Sequence, residues 1–317
     1  MPQDSIVHDV TPNYSFRVYG WQWQSAHSCA LDTSAGGKIL RLDRDLGRVA
    51  ARGELLDELA AARFRRTPRH IRTIYGDAHV LAQGCACTVS DDLKRTALSH
   101  TREDVATAAD NLARLHIALS EVACSQLFPA SGARISELMG AALASLDNGR
   151  ALCRDAPTEF SALLCANIDK VRRRAQLARE LMDAAGLDAR ERSGQSTHSL
   201  CFGTYGLDRL AWTRFHRVAT LDFGDVRRAD PEWDLYTFCR ELFALGRHDL
   251  IAGALSAYAA RTFPAADRDR RAMAYAAFPF AVSRLIGAYR QSERKEHPGW
   301  RAALYEALTL DGGAGRE

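Results

Sequence analysis

No apolar run in this chain approaches the roughly 20 residues a helix needs to cross a bilayer, so no membrane-spanning segment is expected. The start, MPQDSIVHDV, has neither the basic residues nor the apolar stretch of a secretory signal. Charge of one sign is not in excess either. Lysine and arginine number 42 against 39 acids, a net +3, and the arginines are dispersed among carboxylates as on a solvated surface. That balance argues against nucleic acid or an acidic membrane as partner. Internal repeats and low-complexity tracts are absent. The eight cysteines fall at irregular spacings that make no disulfide framework, which predicts reduced thiols and a cytoplasmic location. Cys85-Ala86-Cys87, with His79 nearby, is the only close pair. Without a second matching pair it reads as buried or half-buried thiols rather than a metal site.

What is present is ordinary for a soluble globular chain: 317 residues, 47% apolar and 26% charged, enough to bury a sizeable core in one or two domains. Residues 1–84 read as β-rich. Apolar residues cluster or alternate over 14–21 and 25–32, Ser34-Ala35-Gly36-Gly37 supplies a turn, and Lys38-Ile39-Leu40-Arg41-Leu42 reads as a strand. A helix is predicted over 46–63, with Leu55, Leu56, Leu59 and Ala60 on one face. Two short strands, 71–75 and 78–83, are expected to form a hairpin through Gly76-Asp77. After a predicted linker over 84–90, residues 85–317 become mostly helical. Thr101 with Asp104 resembles a capping box, opening a helix to about Val122. Further helices are expected over 131–146, 158–185, 231–245, 249–261 and 267–292, and DGGAGRE is expected to fray.

The chemistry-bearing stretch is 197–236, THSLCFGTYGLDRLAWTRFHRVATLDFGDVRRADPEWDLY. Two strand-like runs, RLAW and RVATL, lead into Asp222-Phe223-Gly224-Asp225. A carboxylate directly after a buried strand and beside a glycine turn is where a phosphotransferase holds nucleotide-bound magnesium. With the upstream loop Phe202-Gly203-Thr204-Tyr205-Gly206-Leu207-Asp208-Arg209, this segment resembles the aminoglycoside phosphotransferases, whose loop reads H-G-D-x-x-x-x-N. Two further pieces agree with that family. Arg41 stands at its phosphate-facing strand lysine, with Glu54 as the helix partner and Glu58 one turn later as the fallback. Asn111-Leu112-Ala113-Arg114-Leu115-His116 resembles its L-A-x-L-H signature, where Leu112, Leu115 and Leu119 form one face and His116 reads as a core marker.

The resemblance implies an α+β, two-lobed protein-kinase-like fold. A β-rich lobe would span 1–84, and a helical lobe over 85–317 would carry the loop remnant and a substrate pocket. It implies ATP or another nucleotide as cofactor, with Arg41, Glu54, Arg209 and Asp222 as binding residues and magnesium, if held, on Asp222. Asp225 is a secondary candidate. Asp234 is the carboxylate that anchors the loop from a helix start, or a purely structural first-turn acid. The catalytic positions are altered. Thr204 replaces the base and is no useful proton acceptor near neutral pH. Arg209 replaces the metal-binding asparagine with a cation that cannot ligate but can neutralise phosphate. Phe202 replaces the histidine and would pack rather than hydrogen-bond. Asp208 is the only carboxylate within the loop and the one substitute base. A nucleophile built from Cys201 and His198 is formally conceivable, but their three-residue spacing does not favour it.

Three readings follow. In the first, the chain has lost standard phosphotransfer and binds a nucleotide, small metabolite or protein partner in the interlobe cleft. In the second, it is an active ATP-dependent phosphotransferase on a small hydroxylated or amino metabolite, using Asp222 with Asp208. In the third, its cleft runs a different reaction in a biosynthetic pathway. The pocket is expected within 252–289, whose aromatics Tyr258, Phe263, Phe278 and Phe280 fall at spacings typical of a core. Substrate and oligomeric state are not encoded legibly.

Overall fold

A computed structural model describes residues 3–94, 96–131, 133–153, 158–192, 199–262, 265, 267–295 and 297–312. Phe263, His198 and the tail beyond Gly312 lie outside them. The chain opens with a helix, α1 (Gln3–Val10), which lies against the sheet that follows. Strands β1 (Val18–Ser25), β2 (Ser28–Thr33) and β3 (Lys38–Asp43) form a meander, and α2 (Leu46–Ala61) starts from Asp45, whose carboxylate accepts Arg48 N–H at 2.9 Å. Strands β4 (Val80–Ala82) and β5 (Cys85–Asp91) complete an antiparallel sheet in the order β1-β2-β3-β5-β4.

The second hairpin differs from expectation. It turns at Gln83-Gly84, both with positive φ (50° and 75°), as a two-residue hairpin turn requires. The predicted linker is therefore strand β5. Residues 71–75 form no strand, because Thr73 Oγ1 accepts the N–H groups of Tyr75 and Asp77 and curls the segment into a turn. Ile74 and Tyr75 project into solvent there, so no burial rewards a ladder.

The rest is helical around short strand pairs. After β6 (Thr96–Ala97), α3 (Arg102–Leu119) is capped by Thr101, as predicted. Then come α4 (Ile135–Leu152), α5 (Glu159–Ala184), the short α6 (Leu187–Arg192) and strand β7 (Leu200–Cys201). Strand β8 (Leu210–Trp212) pairs on one side with β6 and on the other with β9 (Val218–Thr220), and β10 (Arg227–Arg228) pairs with β7. Helices α7 (Glu232–Ala244), α8 (His248–Ala259), α9 (Arg268–Ala277), α10 (Phe280–Gln291) and α11 (Gly299–Leu310) close the chain. The single helix expected over 267–292 is broken at Phe278-Pro279. Proline lacks the N–H needed to continue, and it drives Phe278 to an extended ψ of 132°.

Two apolar cores result. The sheet and α1 enclose one, around Val7, Val10, Leu31, Leu40 and Val89. The other fills the helical lobe, and it takes in Leu55, Leu56 and Leu59 of α2. Helix α2 thus belongs by packing to the large lobe while lying beneath the small lobe's sheet. Among the described residues no helix is long and apolar enough to cross a membrane. Cys153 and Cys165 are joined as a disulfide, against the expectation of thiols throughout, and the other six cysteines are free.

Candidate functional site

Strand β3 alternates strictly. Leu40 and Leu42 point into the sheet's core, which sends Arg41 and Asp43 to the opposite face, toward the large lobe. There Arg41 meets the residue that follows β9: its Nη1 lies 3.2 Å from Asp222 Oδ1, and its Nη2 donates to the Leu221 carbonyl at 3.4 Å. Arg209 approaches from the other side, with Nη1 2.7 Å from Asp222 Oδ2. Gly224 N–H donates to Asp222 Oδ1 at 3.0 Å. Burial by itself would raise the Asp222 carboxyl. Arg41 and Arg209, helped by Gly224 N–H and Arg52, outweigh it and hold the group below the ordinary carboxylate value. Asp222 is therefore an anion clamped between two guanidinium groups.

The loop before β8 is held from underneath. Asp234, fully buried in the first turn of α7, accepts Phe202 N–H at 2.6 Å and Gly203 N–H at 2.7 Å. Its Oδ2 also meets His116 Nε2 at 3.0 Å, and His116 Nδ1 lies 2.8 Å from Tyr258 Oη. Phe202 packs edge-on against Phe223 and Tyr205. Gly203 has φ +97°, and a Cβ there would stand 2.3 Å from the Asp225 carbonyl oxygen, so only glycine lets the two segments touch. At the far end of the loop, Glu241, two turns along α7 from Asp234, accepts Leu207 N–H at 3.3 Å. Burial, offset in part by that N–H and reinforced by Asp208, pushes the Glu241 carboxyl up to about 7.

Each residue singled out by the sequence can now be placed. Arg41, Arg209 and Asp222 converge. Thr204 donates its hydroxyl hydrogen to Asp225 Oδ2 at 2.7 Å, beside Arg209, whose Nη2 lies 3.9 Å from the same oxygen. Asp208 is largely exposed and folds over Gly206, where a Cβ would meet both its Oδ1 (2.9 Å) and Glu241 Oε2 (2.5 Å); among the described residues its ion pair is to Arg209 Nε at 3.5 Å. Glu54 does not reach Arg41. It faces outward on α2 and lines a cavity of about 830 Å³ on that helix's outer side. Glu58 accepts the N–H groups of Ala123 and Cys124 instead. The helix residue that lies near Arg41 is Arg52, buried and paired with Asp43 at 3.3 Å. The sequence carried a signal for it: Arg52 shares the i, i+3, i+4, i+7 register of Leu55, Leu56 and Leu59.

The donor set does not fit a magnesium ion held by the chain. Such an ion needs near-octahedral oxygen ligation. Both Asp222 oxygens face guanidinium groups, Asp225 is engaged by Thr204 and Arg209, and no cluster of three or more His, Cys, Asp or Glu among the described residues is arranged to take a metal.

A search of solved structures matches this two-lobed chain almost end to end. An aminoglycoside phosphotransferase from Alicyclobacillus acidocaldarius superposes with a TM-score of 0.80 at 17% identity, covering 96% of this chain and 92% of that one. The fold is that of the aminoglycoside phosphotransferases. A spectinomycin phosphotransferase in complex with ADP and spectinomycin gives 0.65 at 10% identity, covering 98% and 95%. The macrolide 2'-phosphotransferase of Brachybacterium faecium gives 0.58 at 16%, covering 99% and 100%. No protein-family model and no curated protein matches the sequence. The aminoglycoside phosphotransferase fold read from the three sequence pieces is thus present, at identities where only architecture carries over.

A second concavity, about 540 Å³, lies in the helical lobe among Trp233, Arg240, Tyr275, Phe280 and Arg284. Its wall is tied to the loop: Arg227 stacks on Trp233 at 4.8 Å and donates to the Gly203 carbonyl at 3.4 Å. Of the aromatics in 252–289, which the sequence placed in the core, Tyr258 and Phe278 are core, whereas Phe280 lines this concavity.

Proposed function

We propose that this chain binds the phosphates of a nucleotide in the interlobe cleft without a chain-held metal ion, and that it does not perform standard phosphoryl transfer. The carrying observation is Arg209 Nη1 at 2.7 Å from Asp222 Oδ2: a tethered cation occupies the flank of the carboxylate that would otherwise ligate magnesium. Arg41 supplies a second fixed cation from the small lobe. Two guanidinium groups offer forked donors to phosphate oxygens, which supports binding by charge and hydrogen bonds alone. That similar folds hold ADP supports a nucleotide as the ligand.

Transfer fails on the base. Thr204 has no proton-accepting group near neutral pH and spends its hydroxyl hydrogen on Asp225. Asp208 lies over Gly206 near Glu241 and pairs with Arg209. The aromatic pocket in the helical lobe is assigned to the metabolite. No carboxylate lines it, so a polycation is disfavoured, and a neutral or anionic molecule with a flat apolar face fits its walls.

The test is a calorimetric titration of ATP into the purified chain with and without magnesium. Equal affinity in both is expected. Binding that requires magnesium would overturn the tethered-cation reading, and no binding in either would leave a cleft repurposed for other chemistry.

A further inference from the structure

Behind the segment that joins the lobes lies a cavity of about 620 Å³ that the cleft does not use. Its walls come from five places: the β2–β3 turn, the end of β5, the stretch after α2, helix α3 and the β8–β9 hairpin. Seven cations face it against two carboxylates. In a chain whose net charge is only +3, that is a strong local excess. Lys38 is neutralised by Asp91 at 2.7 Å, and Arg114 by Asp110 at 2.8 Å. Arg63, Arg65, Arg66, Arg214 and Arg217 have no carboxylate within ion-pairing distance among the described residues.

Arg66 is the telling member. It is half-buried, and burial first, then Arg114, Arg217 and Arg261, lower its hold on its proton, only partly offset by Asp110. Only Arg66 is partly withdrawn from water while the other four arginines stand exposed around it, and an anion among these unpaired cations relieves their mutual repulsion. The backbone helps to fix the array. Arg63 (φ 64°) and His216 (φ 51°), one on each of the two arginine-bearing arms, sit in the left-handed region that residues with a Cβ rarely adopt. Arg214 stacks on the exposed ring of Phe215 at 4.7 Å, which leaves a flat surface at the rim.

We infer that this cavity is a second binding site, for a compact polyphosphorylated anion whose phosphates lie among Arg63, Arg65, Arg66, Arg214 and Arg217. Guanidinium forks pair bidentately with phosphate oxygens, and a compact polyphosphate carries enough charge to meet several of them at once. The enclosed volume suits a small molecule rather than a polymer. The inference stands independently of what the cleft binds.

The probe is inorganic tripolyphosphate, titrated without magnesium at low salt into the full chain, into Arg65→Ser/Arg217→Ser and into Arg41→Ala. The expected result is a saturable site, additional to any binding in the cleft, that is weakened at least about tenfold in the double variant and stays within about twofold of wild type in Arg41→Ala. Arg65 and Arg217 are solvent-exposed, so an unchanged melting curve is expected of the double variant; single Arg65→Ser replaces it if that fails. Absence of saturable binding overturns the proposal. So does a loss confined to Arg41→Ala, which would assign the anion to the cleft, and so does binding of an RNA oligomer where tripolyphosphate does not bind.

Discussion

Arg209 lies within ion-pairing reach of three carboxylates, Asp222 at 2.7 Å, Asp208 at 3.5 Å and Asp225 at 3.9 Å. Removing its charge would leave those acids converging on one point, which is how oxygen-ligated cations are held. Arg209→Asn is therefore expected to weaken metal-free ATP binding about tenfold and to make it magnesium-dependent, as read by calorimetry with and without the metal. An unchanged affinity and no magnesium response would remove Arg209 from the site. Glu241 offers a separate test. Its folded-state value of about 7 lies above that of an unfolded glutamate, so the native state retains a proton that the unfolded chain has released. Stability from this group is full below the unfolded value and is lost as pH rises toward 7, a contribution of at most roughly 3 kcal/mol. Glu241→Gln should flatten that decline, measured as urea midpoints at pH 5 and pH 7.5; parallel wild-type and variant curves would refute the shift.

At the scale of elements, α7 acts as a rail for the loop. Asp234 and Glu241 project from the same side, two turns apart, and take the N–H groups at its two ends. Asp234→Ala strips the buried partner of His116 and of two loop N–H groups, and is expected to cost about 3–5 kcal/mol in chemical denaturation. A loss below 1 kcal/mol would show that the loop holds itself. Much of this was legible. The family resemblance singled out Asp234 and His116, and the helix start at Pro231-Glu232 and the apolar register around His116 agree with it. The resemblance likewise marked Arg41 and Asp222, and strand alternation and strand ends explain where their side chains point. The pairing of Glu54 was not, because a helix glutamate one residue off the inward face looks the same in a string. Its register with Leu55 and Leu59 decides outward from inward, and that register selected Arg52. The misplaced hairpin has another cause. Gly76-Asp77 has good turn chemistry, but Thr73 uses it for a local curl, a side-chain competition invisible to strand periodicity.

For the whole molecule, the cleft is bridged by charge before any ligand arrives, through Arg41 of the sheet and Asp222 of the helical lobe. A ligand that binds only this closed arrangement stabilises it by mass action, about 2.7 kcal/mol at a hundred times its Kd. For a chain of 317 residues the corresponding rise in Tm with ATP at that concentration is about 4 °C. No shift with saturating ATP would mean that the nucleotide does not select the folded cleft.

The membership of α2 in the large lobe's core sets the terms on which that cleft can act. In protein kinases the corresponding helix is repositioned to turn activity on and off. Here Leu55, Leu56 and Leu59 are embedded among the large-lobe helices, and swinging them out would expose a buried apolar face. Under the proposed function, the grip of Arg41 and Arg209 on phosphate is therefore set in the resting structure rather than awaiting a signal.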